Sequence, residues 1–351
     1  METGATTERP AAPSPALSSP AATLRERLRG RLSLPVVAAP LFIISVPDLV
    51  VAQCTAGIVG SMPSLNARPA SQLDEWLSEI EDRLAAHDRA HPEWPAAPYA
   101  INLIVHRSND RLEHDLAVVE RHRVPIVITS LGARPEVNAA VHAYGGHVMH
   151  DVINQTFARK AVEKGADGLV LVAAGAGGHA GSLSPFALVS ETRTWFDGPV
   201  ALSGAIAHGR SILAAEAMGA DFAYVGSAFI ATAEARAEEG HKRMIVDHGA
   251  SDIVYTDLIT GVHGNYLRPS LQRAGLDPDN LSAHDPTRMD FGGERTKRWK
   301  DIWGSGQGIG AVRSVQPAAE LVARLRAEYA EARRHLAAPG PLVNPAWDAP
   351  A

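Results

Sequence analysis

The sequence predicts an α/β protein built on a closed (β/α)8 TIM barrel, with a small, mainly helical insertion before the last barrel helix. Three observations carry this expectation. Short apolar segments begin near residues 36, 58, 99, 126, 147, 168, 200 and 222, which makes eight. They alternate with stretches of helical period over roughly two hundred residues, a pattern that fits a closed barrel of parallel strands better than an open doubly wound sheet. Several segments also end in small residues, and a barrel collects those C-terminal strand ends on one functional face.

The elements follow in order. A charged segment over 24–31 leads to a strand within 34–40 that ends in Ala38, Ala39 and Pro40. A helix over 47–54 has Pro47 in its first turn and Asp48 complementing the N-terminal dipole; Gly57 ends it, and 58–62 is the second strand. Over 71–86, Leu73, Leu77, Ile80 and Leu84 repeat at helical spacing between charged residues. The third strand, 99–105, is interrupted by Asn102, whose amide would cost ~1–3 kcal/mol if buried without partners. It therefore bonds nearby backbone or faces a ligand. Helices near 112–121, 135–143 and 158–164 separate strands at 125–130, 147–152 and 169–173. A helix at 185–192, a strand at 200–203, a helix at 210–218 and a strand at 222–225 complete the alternation.

The sixth strand runs into the most informative stretch, in which Gly175, Gly177, Gly178 and Gly181 surround His179. Glycines let backbone approach a ligand closely, and the imidazole is the one side chain of this loop that exchanges a proton near neutrality. A dinucleotide fingerprint, Gly175-x-Gly177-x-x-Ala180, would need a helix opening inside the loop and an acidic residue at the end of the next strand. Asp197 instead precedes that strand, and Pro185 comes too soon for such a helix. A Walker loop would require Gly-Lys-Ser or Gly-Lys-Thr, which is absent. From the residues alone two readings stay open: a ligand loop carrying a reactive His179, or a turn in which the imidazole is incidental.

The insertion spans 234–313 and contains His263, Asn265, Tyr266 and Arg268, any of which could complete a site. A Gly304-Ser-Gly306-Gln307-Gly308 loop leads back, and Leu321, Val322, Leu325 and Tyr329 mark a closing helix over 317–336. The expected organisation is a disordered tail at 1–23, a barrel made of 24–233 and 314–338, a cap at 234–313, and a tail at 339–351.

Composition narrows the partners. No apolar run is long enough to span a bilayer, and a net charge of -6 with 5% aromatic residues gives no basic face for nucleic acid or an anionic membrane. A small-molecule partner is expected. The first 22 residues are rich in Ala, Pro, Ser and Thr but lack the apolar stretch of a signal peptide. Cys54 is the one cysteine, read as a core thiol in a reducing cytoplasm. His147 and His150 lie three apart on a strand and so face opposite ways, while His142, His208, His241 and His248 lack ligand spacing and default to exposed positions. No metal is expected.

These motifs resemble the nitronate monooxygenase family, formerly 2-nitropropane dioxygenases, flavin mononucleotide (FMN) enzymes on a (β/α)8 barrel. The resemblance covers about residues 34–336 and rests on the Gly-Gly-His-x-Gly loop, the Ser203-Gly204 and Gly226-Ser227 strand ends and the Gly-Gln-Gly loop at 306–308. It implies an FMN phosphate on the amides near Ser203, Gly204, Ala205, Gly226 and Ser227. It also implies a flavin ring near Ala39, Pro40, Leu41, Phe42 and Asn102, with Gly177 and Gly178 in the binding loop, catalytic His179 above the reacting carbon, and Gln307 close to the ring. The implied reaction takes a nitronate or nitroalkane and dioxygen to a carbonyl compound and nitrite. The alternatives are a flavin reductase that passes hydride from NAD(P)H to a quinone or enoyl thioester, and a non-catalytic flavin module; a homodimer stays open. The chain departs from relatives in three places. Asp151 stands where some carry a lysine, Val172 stands where some carry a polar residue, and Leu41-Phe42 replaces a glycine-rich turn.

Overall fold

The barrel strands are short and apolar without alternation because both of their faces are covered. The computed structural model describes residues 23–259, 261–281 and 302–337. Residues 1–22 of the expected N-terminal tail, the C-terminal tail and the part of the insertion around Trp299 lie outside the described residues. The strands are β1 (Val36–Ala38), β2 (Gly60–Pro63), β3 (Tyr99–Ile104), β4 (Ile126–Ser130), β5 (His147–Val152), β6 (Gly168–Val172), β7 (Gly178–His179), β8 (Val200–Ser203), β9 (Phe222–Val225), β10 (Ile253–Thr256) and β11 (Gly264–Leu267). Eight of them form one parallel sheet in the order β1-β9-β8-β6-β5-β4-β3-β2. Val59 closes the ring: its amide donates to the Val36 carbonyl at 3.1 Å, and its carbonyl accepts from the Ala38 amide at 2.8 Å.

Residues that pair across a parallel sheet face the same side. The inward set includes Val37, Val59, Ile128, Met149, Val170, Ala201 and Phe222, packed as one cluster. Leu24 and Leu28 of α1 (Leu24–Leu28) join it and plug the N-terminal end. The outward set, including Leu169, Leu171, Val200 and Leu202, packs under the surrounding helices. Fully burying each such leucine or valine stabilises the fold by roughly 1.5–3 kcal/mol.

The crossover helices are α2 (Pro47–Thr55), α3 (Gln72–Ala90), α4 (Leu112–Arg121), α5 (Pro135–Ala143), α6 (Gln155–Glu163), α7 (Pro185–Arg193) and α8 (Gly209–Ala217). Pro47, Pro135 and Pro185 each occupy a first helical position, where a missing N–H costs nothing. Asn154 caps α6 by accepting the Phe157 amide at 2.9 Å. The short α9 (Ser227–Ile230) follows β9, and the closing helix Ala318–Ala337 packs on α8 and α2.

The insertion carries helices, as expected, in α10 (Glu239–Asp247) and α11 (Arg268–Arg273). It also carries two strands that the sequence did not announce. β10 and β11 form an antiparallel hairpin, and β11 pairs in turn with β7 in the glycine loop, Gly264 against His179 and Asn265 against Gly178. Strands of four and two residues are too short to show a period, and the partners lie far apart in the chain.

Two histidine expectations resolve differently. His147 faces the barrel interior and His150 the helices, where the Thr129 hydroxyl lies 2.6 Å from its Nδ1. His241 does not take the exposed position expected of it: it is buried and stacked on Trp303, with ring centroids 4.9 Å apart. Burial pushes its pKa down to about 4, and the Trp303 that covers it comes from the loop returning from the insertion. Cys54 is a core thiol, pushed up to about 12 by burial. Among the described residues no helix is long and apolar enough to cross a membrane.

Candidate active site

The glycine loop leaves the barrel at Ala173 and returns on itself. The Gly181 amide donates to the Val172 carbonyl at 3.2 Å and the Ala174 amide to the Leu183 carbonyl at 2.8 Å, so both ends of the excursion are fixed. Inside it, the Gly175 carbonyl accepts from the amides of Ala205 at 3.2 Å and Gln307 at 2.9 Å. A Cβ at Gly177 would stand 2.8 Å from the Gly306 nitrogen and 3.0 Å from the Ser227 hydroxyl, so this approach is open only to glycine. The Ser227 hydroxyl in turn accepts the Gly306 amide at 2.8 Å. Four stretches far apart in the chain thus form one cluster on the C-terminal rim: the glycine loop, the ends of β8 and β9, and the loop returning from the insertion.

His179 sits in that cluster on the two-residue strand β7, half-buried. Three contacts from the insertion hold its strand. Gly264 pairs with it, the Tyr255 hydroxyl donates to the Ala180 carbonyl at 2.9 Å, and the buried Asn265 Nδ2 donates to the Ala176 carbonyl at 2.6 Å. Burial lowers the imidazole pKa below its ordinary value, which keeps the ring neutral and able to accept a proton at pH 7.

Ala39 and Leu41 lie beside the end of β9. A Cβ at Gly226 would stand 3.3 Å from the Ala39 Cβ and 3.5 Å from Leu41 Cδ2. The turn that follows takes a left-handed conformation at Ile43, with φ 69°. Asn66 clasps it: Oδ1 accepts the Ile43 amide at 2.7 Å, while Nδ2 donates to the carbonyls of Leu41 at 3.0 Å and Ser45 at 2.8 Å. Pro40 is half-buried in this turn, whereas Phe42 is 40% exposed, with the Arg68 guanidinium 5.4 Å from its ring centre.

Asn102 belongs to the barrel wall. Its Nδ2 donates to the Ile128 carbonyl at 2.9 Å and to the Ser130 hydroxyl at 2.7 Å, so its donor is already used within the protein. Two insertion residues also have structural partners. Tyr266 is buried in a small core with Ile259, Leu271 and Ile302, and Arg268 pairs with Asp279 at 2.8 Å.

Sequence reasoning missed Asn66, Tyr255, Ser130 and Tyr224. A polar residue at or just past a C-terminal strand end marks Asn66 and Ser130 in retrospect, but their partners come from a distant turn and from neighbouring strands. Among the described residues no group of three or more His, Cys, Asp or Glu is placed to hold a metal ion. A cleft of about 510 Å³, lined by Gly57, His87, Trp94 and Val322 among others, opens beside the loops that precede β1, β2 and β3, away from this rim.

Comparison with known proteins agrees with this architecture. The family model described as nitronate monooxygenase matches residues 26–328. A nitronate monooxygenase of Paraburkholderia phytofirmans is 28% identical, covering 86% of this chain and 94% of that protein. Nitroalkane oxidase from Streptomyces ansochromogenes superposes with a TM-score of 0.73 at 25% identity, covering 89% of this chain and 100% of that one. FabK from Thermotoga maritima shares the fold, with a TM-score of 0.72 at 22% identity over 90% of this chain and 98% of that one. A match that takes in the barrel, the glycine loop and the returning loop together makes this chain an oxidoreductase of the nitronate monooxygenase family.

Proposed function

We propose that the protein uses FMN to oxidise alkyl nitronates with dioxygen, releasing the corresponding carbonyl compound and nitrite. The observation that carries this reading is the imidazole of His179, clamped by the β10-β11 hairpin on the same rim as the small-residue ends of β8 and β9. The rim fits the group that the family resemblance calls for. No acceptor for the amides of Gly204, Gly226 and Ser227 lies within the described residues, which leaves three donors for a phosphate. A Cβ at Gly204 would stand 2.7 Å from the Ala174 carbonyl, and Ala39 and Leu41 offer apolar surface beside Gly226.

When bound, the flavin supplies an acceptor for substrate electrons and a route for them to dioxygen. The rest falls to the chain. His179 takes the α-proton of a neutral nitroalkane, and the imidazolium so formed is an electrostatic partner for the resulting anion. Asn265 and Tyr255 fix the backbone on either side of the ring, so its orientation is set before substrate arrives. The Gln307 side chain faces Gly175, with Oε1 3.0 Å from where a Cβ would be, and so closes the loop side of the site.

An absorption spectrum of the purified protein, with aerobic nitrite assays on a panel of alkyl nitronates, tests the reading. Flavin bands with nitrite release are expected. A colourless protein that does not take up FMN would refute the cofactor. Rapid bleaching on anaerobic mixing with NADH, without nitrite release in air, would favour the reductase instead.

A further inference from the structure

Beneath the rim, inward-facing side chains on three adjacent strands form a polar chain within the barrel interior. Asn102 of β3 donates to the Ser130 hydroxyl of β4 at 2.7 Å, and that hydroxyl donates to Oδ2 of Asp151 on β5 at 2.5 Å. The chain stops there. Oδ1 of Asp151 is buried with no partner, and so is the Tyr224 hydroxyl on β9. A buried carboxylate oxygen left unpaired is costly, by about 1–3 kcal/mol or more for a charged group, and such atoms call for a ligand or a proton.

Register places this carboxyl near the cofactor rim. Asp151 pairs with Val170 of β6, and two residues further along β6 Val172 pairs with Ser203. Asp151 therefore occupies the layer immediately below the Ser203 strand end. The groups that face it are the Ser130 hydroxyl from β4 and the Tyr224 phenol from β9; β6 presents Val170 and Val172, and His150 on its own strand is turned to the helices. No salt bridge to Asp151 occurs among the described residues, so nothing cationic neutralises it.

We propose that Asp151, held by Ser130 and Asn102, is a proton-holding group that couples protonation of the barrel interior to the redox state of the flavin on the rim. The inference rests on the FMN reading above. Two-electron reduction adds negative charge to the ring system, and in a poorly solvated barrel mouth an adjacent carboxylate becomes costly. As the cofactor gains its electron pair and its own proton, the Asp151 carboxylate gains one further proton from solvent, and no covalent bond to carbon forms or breaks. Burial already raises the carboxyl pKa to about 6, with the Ser130 hydrogen bond opposing that rise, so the group stands ready to take a proton near neutrality.

The test is the midpoint potential of FMN-loaded protein, titrated with dithionite across pH, for the wild type, Asp151→Asn and Ser130→Ala. For a two-electron couple each proton taken up contributes about 30 mV per pH unit, the value of one tenfold change in equilibrium constant. The wild type is expected to show one proton per electron pair more than Asp151→Asn over the range that begins near the carboxyl pKa. Ser130→Ala, which loses the bond that lowers that pKa, moves the break to higher pH. Identical slopes in the wild type and Asp151→Asn, both with FMN bound, overturn the proposal. If Asp151→Asn loses the cofactor, Ser130→Ala decides, and an unmoved break overturns it. A wild type that binds no FMN overturns the cofactor reading and this one together, which separates the two failures.

Discussion

Asn265→Ala tests whether the insertion acts on the reacting side of the barrel through the glycine loop. Asn265 is buried, and its Nδ2 donates at 2.6 Å to the Ala176 carbonyl, itself on a buried residue. Truncation leaves that carbonyl unpaired in a place water reaches poorly, a cost of about 1–3 kcal/mol concentrated on the loop that carries His179. A tenfold change in an equilibrium corresponds to about 1.4 kcal/mol. The population of loop-open molecules should therefore rise by roughly 5- to 150-fold, while the barrel, whose core lies elsewhere, keeps most of its stability. Native-state hydrogen exchange reads this directly: amides of residues 176–181 should lose protection by that factor, and those of β3 to β5 should not. Turnover should fall with the loop, since a base held loosely loses its orientation. Unchanged protection in 176–181, or equal loss across the whole barrel, would refute the reasoning: in the first case the hydrogen bond carries no local energy, in the second the residue serves global folding only.

Other expectations follow from the same geometry. His179→Ala should leave the bound-flavin spectrum intact while lowering nitroalkane turnover by two orders of magnitude or more, the range of a lost general base; an unchanged rate would return His179 to an incidental role. Because burial lowers its pKa, kcat/KM for neutral nitroalkanes should rise with pH through a midpoint below the usual histidine value and then level, whereas a midpoint above it would contradict the environment described. Gly209→Ala would put a Cβ 2.2 Å from the Tyr329 nitrogen and 2.5 Å from the Glu328 carbonyl carbon, so the closing helix must move away from α8; a loss of about 1–3 kcal/mol in denaturant unfolding is expected, with nitrite release changing less than stability. Acid should destabilise the fold between about pH 6.5 and 4. His150 and His241 are held neutral with pKa values near 4, so the unfolded chain binds more protons in that window and stability falls as pH drops. Asp151, raised to about 6, has the opposite sign, so Asp151→Asn should steepen the acid loss seen by thermal unfolding across pH.

Much of the barrel was legible because its signals are local. Each strand is a short apolar run covered on both faces, each crossover has its own period, and Pro47, Pro135 and Pro185 mark where helices begin. The glycine loop was legible for a similar reason, since close approach of two backbones demands glycine whatever the partner is. What could not be read was which backbones approach. The clasp of Asn66 on the turn at Leu41–Ser45, the stacking of His241 on Trp303 and the chain from Asn102 through Ser130 to Asp151 all join residues from different strands or loops. The same holds for the insertion, whose helices were anticipated but whose hairpin was not.

The sequence by itself determined a ring of eight strands, a face bearing small-residue ends, and an imidazole in a glycine loop on that face. Only the tertiary structure decided that the insertion grips the loop through β11, that Asn102 turns its donor into the barrel wall, and that Asp151 stands beneath the rim with one buried oxygen unpaired. The physical reason is that periodicity and backbone conformation are written within a few residues, whereas burial and hydrogen-bond partnership depend on which distant segments the closing of the ring brings side by side.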